Sequence, residues 1–385
     1  MNTQEKPNKQ MSKRFKIITT LIVVAVICAA LAVFMFSPGG QAGTGKIEVA
    51  VILPLSGKGA SHGEYVRTGI EMFKKDHPAS RLEVTIIDSE SDPQKAISGF
   101  KQKLLLRKPS AAISVLSGVS DTLAPVAEEN RILLIGVNTA TDTFVKNYSW
   151  TQRINDRPVN HTAPLAQLSA KKFSRVGVIY SDDAFGQFCK TTFDSTFHQI
   201  NKNDIIFEPF TPNDRDQNIV VQRLISKNPE AIFVAGYGQG YMSIFQALRT
   251  FNYKGQVLAD INFSNPQVLF ALGEVAEGVV FAAMGFNVTP PSTSDAASFL
   301  KSYQDSFKRE PWLGSAFSYD ALAILDHFVN TEKPLERQSF FAMREWSGIA
   351  AKLTFPTPGE CQYVFQFVRR TAGKNVPIDL ESLRP

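Results

Sequence analysis

The chain is short of the residues that build metal centres and disulfide frameworks. Its 385 residues include three cysteines and five histidines. The histidines show no metal-ligand spacing, so the sequence offers no case for a resident metal. Cys28 sits inside an apolar run. Cys189 and Cys361 either pair, as exported cysteines can, or remain two buried thiols; the sequence does not say whether their Cα atoms approach. Enzyme signatures are scarce too. "SGKG" at 56–59 is no phosphate loop, because Gly59 follows Lys58 and the first glycine of the spacing is missing. "GYGQGY" at 236–241 has its third glycine displaced from a dinucleotide fingerprint. No G-x-S-x-G elbow exists, and no nucleophile has an evident oriented base. Positive charge is lacking where a nucleic-acid binder needs it. The net charge is +5, but residues 1–45 carry Lys6, Lys9, Lys13, Arg14 and Lys16 against Glu5, which is +4 and leaves the remainder near +1. No basic face on a folded part is supported. Internal repeats and low-complexity tracts are absent.

What is present begins with an apolar segment. Residues 15–36 are almost wholly apolar, with Lys16 at the edge and Thr19 and Thr20 inside. That is enough to cross a bilayer as a helix. The preceding cations place the start in the cytoplasm and the rest outside it. The run is long for a signal-peptide core, which favours an uncleaved anchor, while Gly40-Gln41-Ala42 offers a small-residue cleavage site. Cys28 does not read as a lipidation site, since Ile27 stands where a small residue is needed.

Beyond a glycine-containing spacer at 37–45, apolar β-branched runs alternate with helical patterns. The runs are "IEVAVILPL", "LEVTIID", "AAISVLS", "ILLIGV", "RVGVIYS", "IIFEPF", "AIFVAGY", "QVLAD" and "GVVFAAM". Asp92-Pro93 is a good helix start for "QKAISGFKQKLLLR". Strand then helix, repeated, predicts parallel sheets covered on both faces. Two such sets occur, before and after about residue 155, with a polar, Pro-containing stretch between them. The predicted fold class is α/β with two Rossmann-like lobes.

Ligands of open parallel sheets sit beyond the carboxyl ends of the strands. The candidates there are Ser56 and His62 in the first loop, Ser117, Gly118 and Ser120, then Thr139 and Thr141, then Tyr237, and Asp260 with Asn262. Loop hydroxyls and amides at helix N-termini suit an anion. A lone carboxylate opposite them suits an ammonium, so a zwitterion would use both. Each candidate has a plainer role. Ser120 can cap a helix, Thr139 and Thr141 can close a turn, and Asp260 can cap a loop. His62 can be an exposed loop residue, and Tyr237 can be lobe packing.

From Lys46 to Lys374 the chain resembles the type I periplasmic binding proteins, specifically the branched-chain amino acid binding family of ABC importers. "VAVILPLSGKGASHG", "VTIIDSESDPQKAI", "AAISVLSGVS", "NRILLIGVNTAT", "VGVIYSDDAFGQ", "AIFVAGYGQG" and "AEGVVFAA" carry the likeness in the family's order. The resemblance implies two lobes joined by three crossovers, closing on an amino acid or related small acid for delivery to a permease, with no cofactor and no catalysis. It divides the chain into a basic segment (1–14), an anchor or signal (15–36), a linker (37–45), lobe 1 (46–155 and 288–345), lobe 2 (156–287 and 346–374) and a tail (375–385). It assigns ligand contacts to His62, Ser117, Thr141 or Thr139, and Tyr237. It puts Ile261 where the family holds the ligand's amine with an acid; Asp260 is the neighbour. The same fold also serves anchored sensors and regulators of envelope partners, and the apolar segment leans that way.

Overall fold

A computed structural model describes residues 45–155 and 157–383. The basic segment, the apolar run at 15–36 and Cys28 lie outside the described residues. Among the described residues, no helix is long and apolar enough to cross a membrane.

The first sheet is wholly parallel. Its chain order is β1 (Ile47–Leu53), α1 (Ala60–Asp76), β2 (Leu82–Asp88), α2 (Pro93–Leu106), β3 (Ala111–Val115), α3 (Ser117–Asn130), β4 (Leu133–Val137), α4 (Thr143–Lys146) and β5 (Thr151–Arg153). The strands lie in the order β2-β1-β3-β4-β5. Every residue of β3 and β4 is buried, as expected for strands covered on both faces, and this is why they read as unbroken apolar runs. Asp92 caps α2 through its carboxylate, which accepts from the Gln94 and Lys95 amides, and Pro93 supplies the fixed φ of a first turn.

The chain then crosses at Asn155 to α5 (Val159–Lys172), β6 (Val176–Ser181), α6 (Ala184–His198), β7 (Ile205–Phe210), α7 (Asn218–Ile225), β8 (Ala231–Ala235), α8 (Gly238–Thr250), β9 (Gln256–Ala259), α9 (Pro266–Leu272) and β10 (Val280–Met284). It returns to the first sheet as α10 (Ser294–Phe307), α11 (Leu313–Asn330), α12 (Arg337–Met343) and a small antiparallel sheet of β11 (Glu345–Ser347), β12 (Lys352–Thr354) and β13 (Gln362–Tyr363). Finally β14 (Phe365–Thr371) and β15 (Lys374–Pro377) add two antiparallel strands beside β10, giving the order β15-β14-β10-β9-β8-β6-β7.

α11 packs on α1 across some 250 positions of sequence. Gly69 makes this possible: a Cβ there would lie 2.2 Å from the Ser315 carbonyl oxygen. Ser318 Oγ donates to the Val66 carbonyl at 3.0 Å across the contact.

Three expectations change. Residues 346–363 belong with the first sheet, because Leu353, Phe355, Cys361 and Tyr363 share a buried core with Val49 and Phe317. Residues 375–383 are not a tail: β15 is paired, and Leu383 packs among Leu165 and Phe197. The second sheet is mixed rather than parallel. Its two antiparallel strands lie at one end of the sheet, and β14 carries polar residues such as Gln366, Arg369 and Arg370, so it lacks an apolar run. Cys189 and Cys361 are buried in different cores and no disulfide joins them.

One close approach sets the geometry of the first loop. A Cβ at Gly63 would fall 1.8 Å from the Pro54 carbonyl oxygen. Gly63→Ala must move backbone, so it should lower stability by about 1–3 kcal/mol, read as a lower melting temperature. An unchanged melting temperature would show that this contact does not constrain the loop.

Candidate functional site

A cavity of about 270 Å³ lies between the two sheets, at the carboxyl ends of their strands. The β1–α1 connection and α1 supply Lys58 and His62. The α3 N-terminus supplies Ser117, Gly118 and Val119, and the β4 end supplies Asn138 and Ala140. Asn155 and His161 come from the crossover and α5. The second sheet supplies Asp183, Phe185, Tyr237, Ile261 and Asn262, and α11 supplies Leu313 and Phe317.

Five of the ten predicted residues line this cavity: His62, Ser117, Gly118, Tyr237 and Asn262. His62 is helical rather than a loop residue, because α1 starts at Ala60. Its ring is 5% exposed and meets Trp312 and Tyr237 edge-on, at centroid distances of 4.9 and 5.2 Å. Asn262 Nδ2 donates to the Gly236 carbonyl and to Asp260. Its Oδ1 is therefore the acceptor facing His62 Nε2, at 3.4 Å. Burial pulls the imidazole down to about 4, so near neutral pH it is uncharged. With Nε2 donating, Nδ1 is left as a lone pair, buried and without a partner. Ser117 opens α3, and its Oγ accepts from the Ala140 amide at 2.9 Å, which leaves its hydroxyl proton to be donated. The first amides of α3 have no intrahelical acceptor. Leu116 just before them has φ +79°, and Asn138 opposite has φ +53°. The Leu116 conformation is costly for a residue with a side chain, and such costs cluster at binding sites, whereas asparagine at 138 tolerates the left-handed region.

The other five predicted residues are elsewhere. Ser56 is exposed and donates to Asp88 Oδ2 at 3.3 Å, tying the loop to the end of β2. Ser114 Oγ donates to Ser120 Oγ at 2.8 Å, and Ser120 meets Thr139 Oγ1 at 2.7 Å. Thr139 in turn exchanges backbone hydrogen bonds with the Asn155 amide group, both at 3.1 Å. Ser120 and Thr139 are thus a buried brace under the cavity. Thr141 donates to the Asp121 carboxylate at 2.6 and 2.7 Å. Asp260 is fully buried behind Asn262, accepting from Tyr241 Oη at 2.6 Å, Gly236 N at 3.2 Å and Asn262 Nδ2 at 3.0 Å. Burial still pushes its carboxyl up to about 7. Ile261 fills the position facing the cavity instead.

Sequence reasoning passed over Lys58, Asp183, Asn155 and His161. Asp183 carried a legible signal, since "SDDAFG" ends a strand and opens a helix. It caps α6 by accepting from Gly186 N at 3.1 Å, and Ser181 Oγ donates to the same oxygen at 2.9 Å. Its other oxygen takes a hydrogen bond from Tyr237 Oη and lies 3.5 Å from Lys58 Nζ. Asn155 follows β5, a strand of three residues, too short to show an apolar run.

The lobes meet over the cavity at several points. Besides Lys58 and Asp183, Ser61 Oγ donates to Gln267 Oε1 at 2.8 Å, and Trp312 Nε1 donates to Ser264 Oγ at 3.1 Å.

The family model described as periplasmic binding protein matches residues 46–345. The chain belongs to that family. It is a solute-binding protein, not an enzyme, and its folded part lies outside the cytoplasm. The Leu/Ile/Val-binding protein homolog 3 of Brucella melitensis is 23% identical over 264 residues, 66% of this chain and 72% of that protein. Among solved structures, the leucine binding protein LivK of Thermotoga maritima has a TM-score of 0.77 at 22% identity, covering 85% of this chain and 96% of that one. A solute binding protein of an ABC transporter from Rhodopseudomonas palustris, in complex with 3,4-dihydroxybenzoic acid, also has a TM-score of 0.77, at 19% identity, covering 86% and 96%. This periplasmic binding protein therefore has the fold of those structures.

Two groups at the site give opposite pH signatures. His62 is held near 4 against an ordinary 6.5. The unfolded chain takes up a proton that the native state refuses, so stability is lost as pH falls from about 6.5 to about 4. Asp260 is held near 7 against an ordinary 3.8. It contributes stability below that ordinary value and loses it as pH rises to about 7. The melting temperature of His62→Gln, relative to the parent, should therefore rise as pH falls through the first window. That of Asp260→Asn should rise as pH increases through the second. Parallel pH profiles for parent and variants would contradict these assignments.

Proposed function

We propose that this binding protein captures a small carboxylate-bearing solute between its lobes and delivers it to an ABC permease, while residues 15–36 hold it to the membrane. The observation carrying the reading is the cavity itself. It is walled from both lobes and has a donated hydroxyl and unsatisfied amides at one helix N-terminus, where an anion is favoured by both hydrogen bonding and the helix dipole. The compared proteins are named for leucine, for Leu/Ile/Val, or solved with a dihydroxybenzoic acid. These ligands share a carboxylate, and that shared group is what we carry over. Ser117 and the amides of Gly118 and Val119 would hold it, with His62 and Tyr237 closing over the body of the ligand. Lobe 1 would comprise 46–155 and about 288–363, and lobe 2 about 156–287 and 364–383.

A second reading, an anchored sensor or regulator of an envelope partner, is favoured by the apolar segment, since a fixed protein cannot diffuse with its cargo. Under either reading residues 15–36 stay attached. N-terminal sequencing of membrane-extracted protein should find them present. A mature start near Gly43, or at an acylated Cys28, would remove the anchor.

A thermal-shift screen of small acids tests capture, because a ligand that binds only the native state raises the melting temperature. For the ligand so found, Ser117→Ala should weaken binding by about 1–3 kcal/mol through the loss of one polar partner. Its effect on the unliganded melting temperature should be smaller. A lowered melting temperature with unchanged affinity in calorimetry would make Ser117 a purely structural residue.

A further inference from the structure

Resting on that reading, we infer that the ligand is a monocarboxylate with an uncharged, largely apolar body, and carries no ammonium group. The inference comes from the state of each acid and acceptor around the cavity. Among the described residues lining it, the only carboxylate is Asp183. Both Asp183 oxygens are already engaged, by Ser181 and Gly186 on one side and by Tyr237 and Lys58 on the other. Its charge is matched by Lys58, and that pair bridges the lobes. A ligand ammonium reaching Asp183 would break the bridge to gain one equivalent pair. Asp260 offers no alternative, since it lies behind Asn262 with both oxygens bonded, and Ile261 takes the wall.

His62 Nδ1 and His161 Nδ1 remain, both buried and without a partner, on rings that burial keeps uncharged near neutral pH. A neutral imidazole supplies a lone pair but no charge, so an ammonium placed against it would stay unpaired in a buried site, which is strongly unfavourable. A hydroxyl uses the same lone pair with no charge to desolvate. Much of the remaining lining is apolar or aromatic, with Leu116, Phe185, Ile261 and Phe317 among it, and its other polar groups, such as Asn138 and Asn155, are neutral. One anion-binding end and a neutral body with room for a hydroxyl at either imidazole is the chemistry this lining matches.

Calorimetry on the full chain with matched acids decides it. Each pair shares one carbon skeleton and differs only in the α-ammonium: 4-methylpentanoate and L-leucine, 3-phenylpropanoate and L-phenylalanine, 3-(4-hydroxyphenyl)propanoate and L-tyrosine. The amine-free member should bind more tightly by roughly tenfold or more, as expected when the other member buries an unpaired charge. Equal affinity, or tighter binding of the amino acid, overturns the inference. Ile261→Asp places a carboxylate on the wall and should shift the leucine pair toward L-leucine; an unchanged ratio in a folded variant also overturns it. If none of the six acids binds but a sugar or polyamine does, the acid chemistry is wrong while solute capture stands. If no member of a panel spanning these classes binds, the capture reading itself fails.

Discussion

The Asp183 carboxylate is the point on which the cleft depends. It accepts from Gly186 at the start of the helix that follows its own strand, accepts from Ser181, steadies the phenol of Tyr237 on the same lobe, and meets the Lys58 ammonium from the other lobe. Three of these partners are local to the second lobe and hold the carboxylate in one orientation. The fourth is the only one that motion between the lobes can break. The pair is partly exposed, with side chains 32% and 14% accessible, so its net strength is modest. A weak, well-aimed contact suits a clamp that must also release. The Ser61–Gln267 contact also crosses between the lobes and is likewise exposed.

Beneath the rim, the floor is stiff. Ser114, Ser120, Thr139 and Asn155 form a buried polar chain with each hydroxyl partnered. Satisfied buried networks rigidify what they join, and this one joins β3, α3, the end of β4 and the crossover. Ser117 and Asn138 are therefore presented from a fixed frame, so little ordering is required when a ligand arrives. Preorganisation on one side and a loosely tied rim on the other is the division of labour the cleft requires.

Much of this was legible in the sequence. Apart from β5, the strands of both lobes up to Met284 appear as apolar runs; the central ones do so because parallel strands are buried on both faces, and burial is what an apolar run records. β5 and β11 to β15 were not legible, since they are short or lie at an edge where one face meets water. At the site, strand-end position found His62, Ser117, Gly118, Tyr237 and Asn262. The same rule also picked out Ser120, Thr139 and Asp260, which are buried and brace the lining residues Asn155 and Asn262, and Thr141, which bonds to Asp121 instead. Sequence position locates the end of a strand but not which way each side chain turns there. Ser117 and Ser120 are three residues apart on one helix, yet one faces the cavity and the other the brace.

The packing of α11 on α1 reaches beyond the folded state. These helices bury their apolar faces against each other, but one is made of residues 60–76 and the other of residues 313–330. The first lobe's core is thus of high contact order, and such cores form slowly because a long loop must close first. A growing chain that has not yet reached residue 313 cannot complete the N-terminal lobe, however much of the first sheet it already contains. The order of synthesis does not match the order of assembly, and the chain stays incompletely packed for most of its passage out of the ribosome.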